Sequence, residues 1–150
     1  DSEKTIHKFL ENISLEKNDA DDRMDIVLYS NSEEKKKVVM LEMKKLNADY
    51  KESAVGIHQL QNYSSQLKEA GINEMYLYLI TNINDKFRKN LIDFEGFTKV
   101  FSHEGEIYQR SYNNVNAYIQ IISPNAIIAD ANIRNKTFLD IIIKSKLAVK

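Results

Sequence analysis

Two charged side chains of opposite sign stand two residues apart in the run Val38-Val39-Met40-Leu41-Glu42-Met43-Lys44-Lys45. Alternation along a strand sends Val38, Met40, Glu42 and Lys44 to one face and Val39, Leu41 and Met43 to the other. Glu42 and Lys44 then lie roughly 6 to 7 Å apart at about 3.3 Å per residue. Asp25 opens the apolar run Asp25-Ile26-Val27-Leu28-Tyr29-Ser30, on one face with Val27 and Tyr29. A hairpin turning around Asn31-Ser32-Glu33-Glu34 sets the start of the first strand against the end of the second, which predicts Asp25 beside Glu42 and Lys44. Neighbouring carboxylates repel and desolvated charges are costly, and a divalent cation offsets both effects. The expected ion is Mg2+ or Mn2+, held by Asp25 and Glu42 and completed by water and phosphate oxygens. Lys44 then orients or deprotonates the attacking water, or stabilises charge building on a phosphate.

An acid-x-Lys triplet alone is a weak signal. Glu33-Glu34-Lys35 and Glu34-Lys35-Lys36 match it as well, in a polar turn that solvation explains fully. Glu42-Met43-Lys44 differs because it follows an apolar strand whose partner opens on an acid. A surface salt bridge at a strand end is its plain structural alternative.

The elements that must position these residues follow from periodicity. Ile6, Phe9, Leu10 and Ile13 predict an amphipathic helix over 2–13 with Ser2 as N-cap. A short strand over 13–17 and a polar loop come next, then the hairpin strands 24–30 and 37–45. Gly56, Leu60, Tyr63, Leu67 and Ala70 mark one packed stripe of a helix over 53–70, which Gly71 ends. Residues 74–81 are apolar on both faces, as in a central strand covered by helices. A short helix over 84–96, a hairpin of 97–103 with 106–112, and helical segments on both sides of Pro124 complete the reading. The order helix, strand, strand, strand, helix, strand implies an α/β fold with a mixed central sheet flanked by helices, extended by a C-terminal hairpin and helices.

A chain of 150 residues with 43% hydrophobic and 29% charged residues has the balance of one globular domain. It contains no cysteine, which excludes disulfides, thiolate zinc sites and cysteine nucleophiles. His7, His58 and His103 are too widely spaced for a histidine-rich zinc site, and His7 and His58 are read as surface or core residues. The apolar runs fall far short of the roughly 20 residues that span a bilayer, so no membrane segment is expected. An intracellular, cytoplasmic setting is the expectation. The chain opens without an initiator Met or an apolar leader, which suggests a domain cut from a longer protein. The formal net charge of -1 gives no global attraction to nucleic acid. Its distribution is uneven: Asp19, Asp21, Asp22 and Asp25 face only Arg23, whereas the tail sets Arg134, Lys136, Lys144, Lys146 and Lys150 against Asp140.

With its elements in this order, the region 1–81 resembles the PD-(D/E)XK nuclease superfamily, of restriction-endonuclease-like fold and αβββαβ core. Met24-Asp25 stands where that family has Pro-Asp, a departure at the proline, and Glu42-Met43-Lys44 stands for its (D/E)-x-K. Gln59-Leu60-Gln61-Asn62-Tyr63 resembles the Q-x-x-x-Y element that some branches carry on the following helix; Gln59 and Tyr63, four apart, share a helix face. The resemblance implies a Mg2+-dependent nuclease with catalytic Asp25, Glu42, Lys44, Gln59 and Tyr63. The metal would be held by Asp25, Glu42 and the backbone carbonyl of Met43. A glutamate of the first helix completes the shell in some members; Glu3 and then Glu11 are the candidates, although a plain N-terminal Glu interacting with the helix dipole is the stronger reading than either. The implied partner is nucleic acid, DNA before RNA, contacted at phosphates by Lys45, Lys51 and the basic tail. A homodimer, further domains, and a role in bacterial defence or as a delivered toxin belong to the same resemblance. The rival reading is a catalytically inactive nuclease-like domain that binds nucleic acid or protein.

Overall fold

The computed structural model describes residues 36–45 and 47–129, the backbone of the strand Arg23–Ser30, and isolated helical positions between 132 and 143. The first helix and first strand read from the sequence, over 2–13 and 13–17, lie outside the described residues, as do Glu3, His7 and Glu11.

Among the described residues six strands form one sheet: β1 (Arg23–Ser30), β2 (Lys36–Met43), β3 (Glu74–Ile80), β4 (Thr98–Val100), β5 (Ile107–Tyr112) and β6 (Ala117–Ile122). Their order is β1-β2-β3-β6-β5-β4. The three central strands β2, β3 and β6 run parallel, and antiparallel pairs flank them on both sides. The sheet is therefore mixed, as the order of elements implied. Residues 117–122 correct the expectation of a helix before Pro124: Ile119, Ile121 and Ile122 fill a central strand between β3 and β5. After it, Pro124 opens a helical turn over 124–129, a position where its missing N–H costs nothing.

Helix α1 (Tyr50–Glu69) begins earlier than the periodic stripe suggested, because Asp49 caps it: its Oδ1 accepts the Glu52 N–H at 2.9 Å. Its end is a Schellman motif. Gly71, at φ 96°, donates to the Lys68 carbonyl, and Ile72 donates to that of Leu67. Helix α2 (Asp85–Asp93) is capped by Asn84, whose Oδ1 accepts from the Phe87 N–H at 2.8 Å.

Both helices pack on one face of the sheet. That face presents Val38, Met40, Met75, Leu77, Leu79, Ile119 and Ile121, each 1% exposed or less. Against it lie Ile57, Leu60, Tyr63 and Leu67 of α1 and Phe87 and Leu91 of α2. The opposite face is half-buried along β2 and β3 except at the buried Ile80, and its Tyr78, Ile107 and Ile122 pack with Ala126 and Ile127. No helix of the described residues is long and apolar enough to cross a membrane.

Candidate functional site

Strand β2 alternates as its sequence requires: Val38, Met40 and Glu42 are buried, while Val39, Leu41 and Met43 are half-buried. Glu42 therefore enters the helix-covered face as its last strand residue there, and it is 0% exposed. Lys44 follows on the same face just past the strand end, where its N–H still donates to the Ile80 carbonyl at 2.9 Å. The Lys44 side chain is 7% exposed, and its Nζ stands 3.4 Å from Glu42 Oε1. The same Nζ donates across a long contact of 3.4 Å to Gln59 Oε1 on α1. A carboxylate, an amine and an amide thus meet where sheet and helix converge.

The approach of α1 is close because Gly56 lies opposite. A Cβ at that position would sit 3.0 Å from Lys44 Cε and 3.2 Å from both Leu79 methyls. One turn further along from Gln59, Tyr63 is 5% exposed within the main core, so it anchors the helix from inside. Between α1 and β3, the buried hydroxyls of Ser53 and Thr81 share a 2.7 Å hydrogen bond. Sequence reading singled out neither residue. The signal available was Thr81, a hydroxyl directly ending the apolar strand 74–80.

The hairpin register bears on Asp25. The β1–β2 ladder runs without a bulge, pairing Arg23 with Met43, Met24 with Glu42 and Asp25 with Leu41. Residues directly opposite in an antiparallel pair share a face. The pairing sets Met24 opposite Glu42 and Asp25 opposite Leu41. Asp25 is one step from the register that sets the two carboxylates side by side, and a one-residue step exchanges faces. The sequence between the two strands has no Asn-Gly or Asp-Gly pair to fix that register. Met43 follows from the same alternation: since the Lys44 N–H points to β3, the Met43 carbonyl turns toward β1, into the ladder with Arg23.

Among the described residues no three His, Cys, Asp or Glu side chains gather as a metal shell. At the end of β2 the carboxylate of the site is that of Glu42, with Gln59 Oε1 across from it on Lys44. A single carboxylate completed by phosphate oxygens and water is one of the ordinary modes of Mg2+, so the donor chemistry fits a hard divalent ion. Of the expected phosphate contacts, Lys45 lies 3.6 Å from Glu52, Lys51 is exposed at the start of α1, and Lys136 is exposed. Arg134, Lys144, Lys146 and Lys150 lie outside the described residues. His58, on the outer side of α1, meets Glu95 at 3.3 Å, away from Lys44.

A second polar cluster joins α2 to the far strands. Arg88 grips Glu106 with two hydrogen bonds of 2.5 and 2.7 Å and reaches Asp85 at 2.5 Å, while Tyr108 donates to Glu106 at 2.8 Å. The hydrogen bonds from Arg88 hold the Glu106 carboxyl below the usual carboxylate range, and burial pushes the Tyr108 hydroxyl up. Each partner there is satisfied, the pattern of a structural clamp. No family model matches the chain, and neither a curated protein nor a solved structure matches it.

Proposed function

We propose that this protein is a divalent-cation-dependent phosphodiesterase acting on nucleic acid, DNA before RNA, on a restriction-endonuclease-like core. The observation that carries the reading is the meeting of Glu42, Lys44 and Gln59 at 3.4 Å contacts, with the carboxylate fully buried. Placing an ion pair there costs desolvation, and a well-packed apolar pair is often as stable or more so. Such a pair at the end of a central strand makes better sense as working chemistry than as a prop.

In this reading Glu42 is the protein's ligand to Mg2+ or Mn2+. The bound ion supplies charge neutralisation at the phosphate and a more acidic water. The chain's own groups do the rest. Lys44 presents its amine at the rim, steered by the Glu42 and Gln59 oxygens, toward the phosphate oxygens on which charge accumulates. Gln59 fixes the direction of that amine, and Tyr63 fixes the helix that carries Gln59. Lys45 and Lys51, at the same end of the sheet, contact the phosphate backbone irrespective of sequence.

The register favours a second reading. With Asp25 paired to Leu41, a two-carboxylate centre requires β1 to slip or bulge. A nuclease-like domain that binds nucleic acid or protein without cutting requires neither. Thermal unfolding with and without Mg2+ or Mn2+ separates the two. A metal site raises the melting temperature by mass action, by about 2.7 kcal/mol in stability at a hundredfold excess over Kd, and Glu42→Gln abolishes the shift. A wild-type protein indifferent to both ions, and inert on single- and double-stranded DNA and RNA, fits only the binding module.

A further inference from the structure

The geometry points to Gly56 as a positioning residue: its bare backbone is the floor on which the Lys44 stem lies, and it thereby sets where the amine stands between Glu42 and Gln59. The inference rests on the phosphodiesterase reading for its catalytic consequence, but its structural half stands by itself.

A glycine in the interior of a 20-residue helix is costly, since alanine is the better helix former by roughly 1 kcal/mol. Gly71 has a backbone reason at φ 96°, whereas Gly56 is ordinary helix and shows no positive φ. Its reason is therefore space. A Cβ built there meets Lys44 Cε at 3.0 Å and the two Leu79 methyls at 3.2 Å. These two neighbours are not equally free to yield. Leu79 is 0% exposed, in the middle of the core and packed from all sides. Lys44 Cε is near the free end of a flexible chain at the strand end. A methyl at position 56 is tight against both neighbours, and the larger movement falls on the lysine. The amine is carried on the displaced carbon, so its 3.4 Å contacts to Glu42 and Gln59 change together.

Sequence reading placed Gly56 in a packing stripe with Leu60, Tyr63 and Leu67. In the structure it shares that stripe but also touches the chemistry: Gln59 is three residues on, Ser53 three residues back. One helix face thus supplies the amide that receives the amine and the gap that admits it.

Gly56→Ala tests this with two separate readouts. In NMR spectra, the Lys44 13Cε and 15Nζ resonances shift in the variant by more than the Leu79 methyl resonances do. In the cleavage assay, kcat falls at least tenfold with KM within twofold. Unmoved Lys44 resonances beside shifted Leu79 methyls overturn the inference, because the glycine then serves packing alone. A Lys44 shift with full kcat overturns the catalytic half. A wild-type protein that cuts nothing removes the parent reading and the catalytic half with it, while the NMR result still decides what the glycine holds. Should Gly56→Ala fail to fold, the double variant Gly56→Ala/Lys44→Ala decides. With the lysine stem gone it folds, and a double variant that also fails to fold overturns the inference.

Discussion

Glu42 and Lys44 keep each other's charge inside the protein, and this makes each a stability residue as well as a candidate for chemistry. Removing one member of a buried pair leaves the other uncompensated, at a cost of about 3 to 5 kcal/mol. Glu42→Gln is expected to lower stability toward that range in urea unfolding, whereas Glu42→Leu/Lys44→Met recovers most of the loss. A double variant as weak as the single one would mean that the pair is held for stability. Asp25 is the residue on which the two functional readings divide. The regular ladder predicts that Asp25→Asn leaves Mg2+ affinity within twofold of wild type in calorimetry; a loss matching Glu42→Gln would show that β1 slips by one residue in solution. At this scale the sequence was informative wherever a short period governs. Period two put Glu42 and Lys44 on one face, and a four-residue step put Gln59 and Tyr63 on one helix face. It placed Gly56 in the packed stripe but not against Lys44, because that contact is set by what lies across the gap rather than by its own neighbours in the chain.

Helix α1 and strand β3 are tied near the site by the Ser53–Thr81 hydrogen bond of 2.7 Å, with both residues buried. Ser53→Ala strands the Thr81 hydroxyl in the core, at a cost of about 1 to 3 kcal/mol, while Ser53→Ala/Thr81→Val removes both polar groups and is nearly neutral. Thermal or urea unfolding of the two single variants and the double measures the coupling; additive losses would contradict it. Element type was legible where apolar spacing was long or turn residues were strong, as in α1 with Gly71 and in β3. It failed at 117–122, because a short apolar run such as Ile119-Gln120-Ile121-Ile122 is periodic neither as helix nor as strand. That segment becomes a strand because β3 and β5 leave a place between them, which no local pattern records. The start of α1 was missed for a different reason. The stripe begins at Ser53, but the cap Asp49 and the first-turn Glu52 extend the helix by a polar turn that carries no apolar period.

Across the whole molecule, the sheet is held at both ends of its parallel centre: Glu42 and Lys44 join β2 to α1, and Glu106 joins β5 to α2 through Arg88. The second clamp gives the protein an acid limb. The Glu106 carboxyl is held below its ordinary range by the Arg88 hydrogen bonds. Its contribution is therefore present above the unfolded value of about 4.3 and is lost as pH falls through the lower folded value. Glu106→Gln should flatten the stability profile below about pH 4.3. Unchanged acid dependence in that variant would assign the limb elsewhere. Tyr108 acts in the opposite direction: its raised value favours the neutral phenol when folded, so its contribution fades as pH rises above about 10. The α/β class and the mixed sheet could be read from the order of elements, but the insertion of β6 between β3 and β5 could not, since parallel pairing joins segments far apart in sequence. The central claim is that the buried Glu42–Lys44 pair cuts phosphodiester bonds, and the cleavage rate of DNA in Mg2+ or Mn2+ tests it most directly. The account predicts that wild type cuts, and that Lys44→Ala, folded by circular dichroism, is at least a hundredfold slower. Equal rates for the two proteins, or no cutting by either, would contradict it.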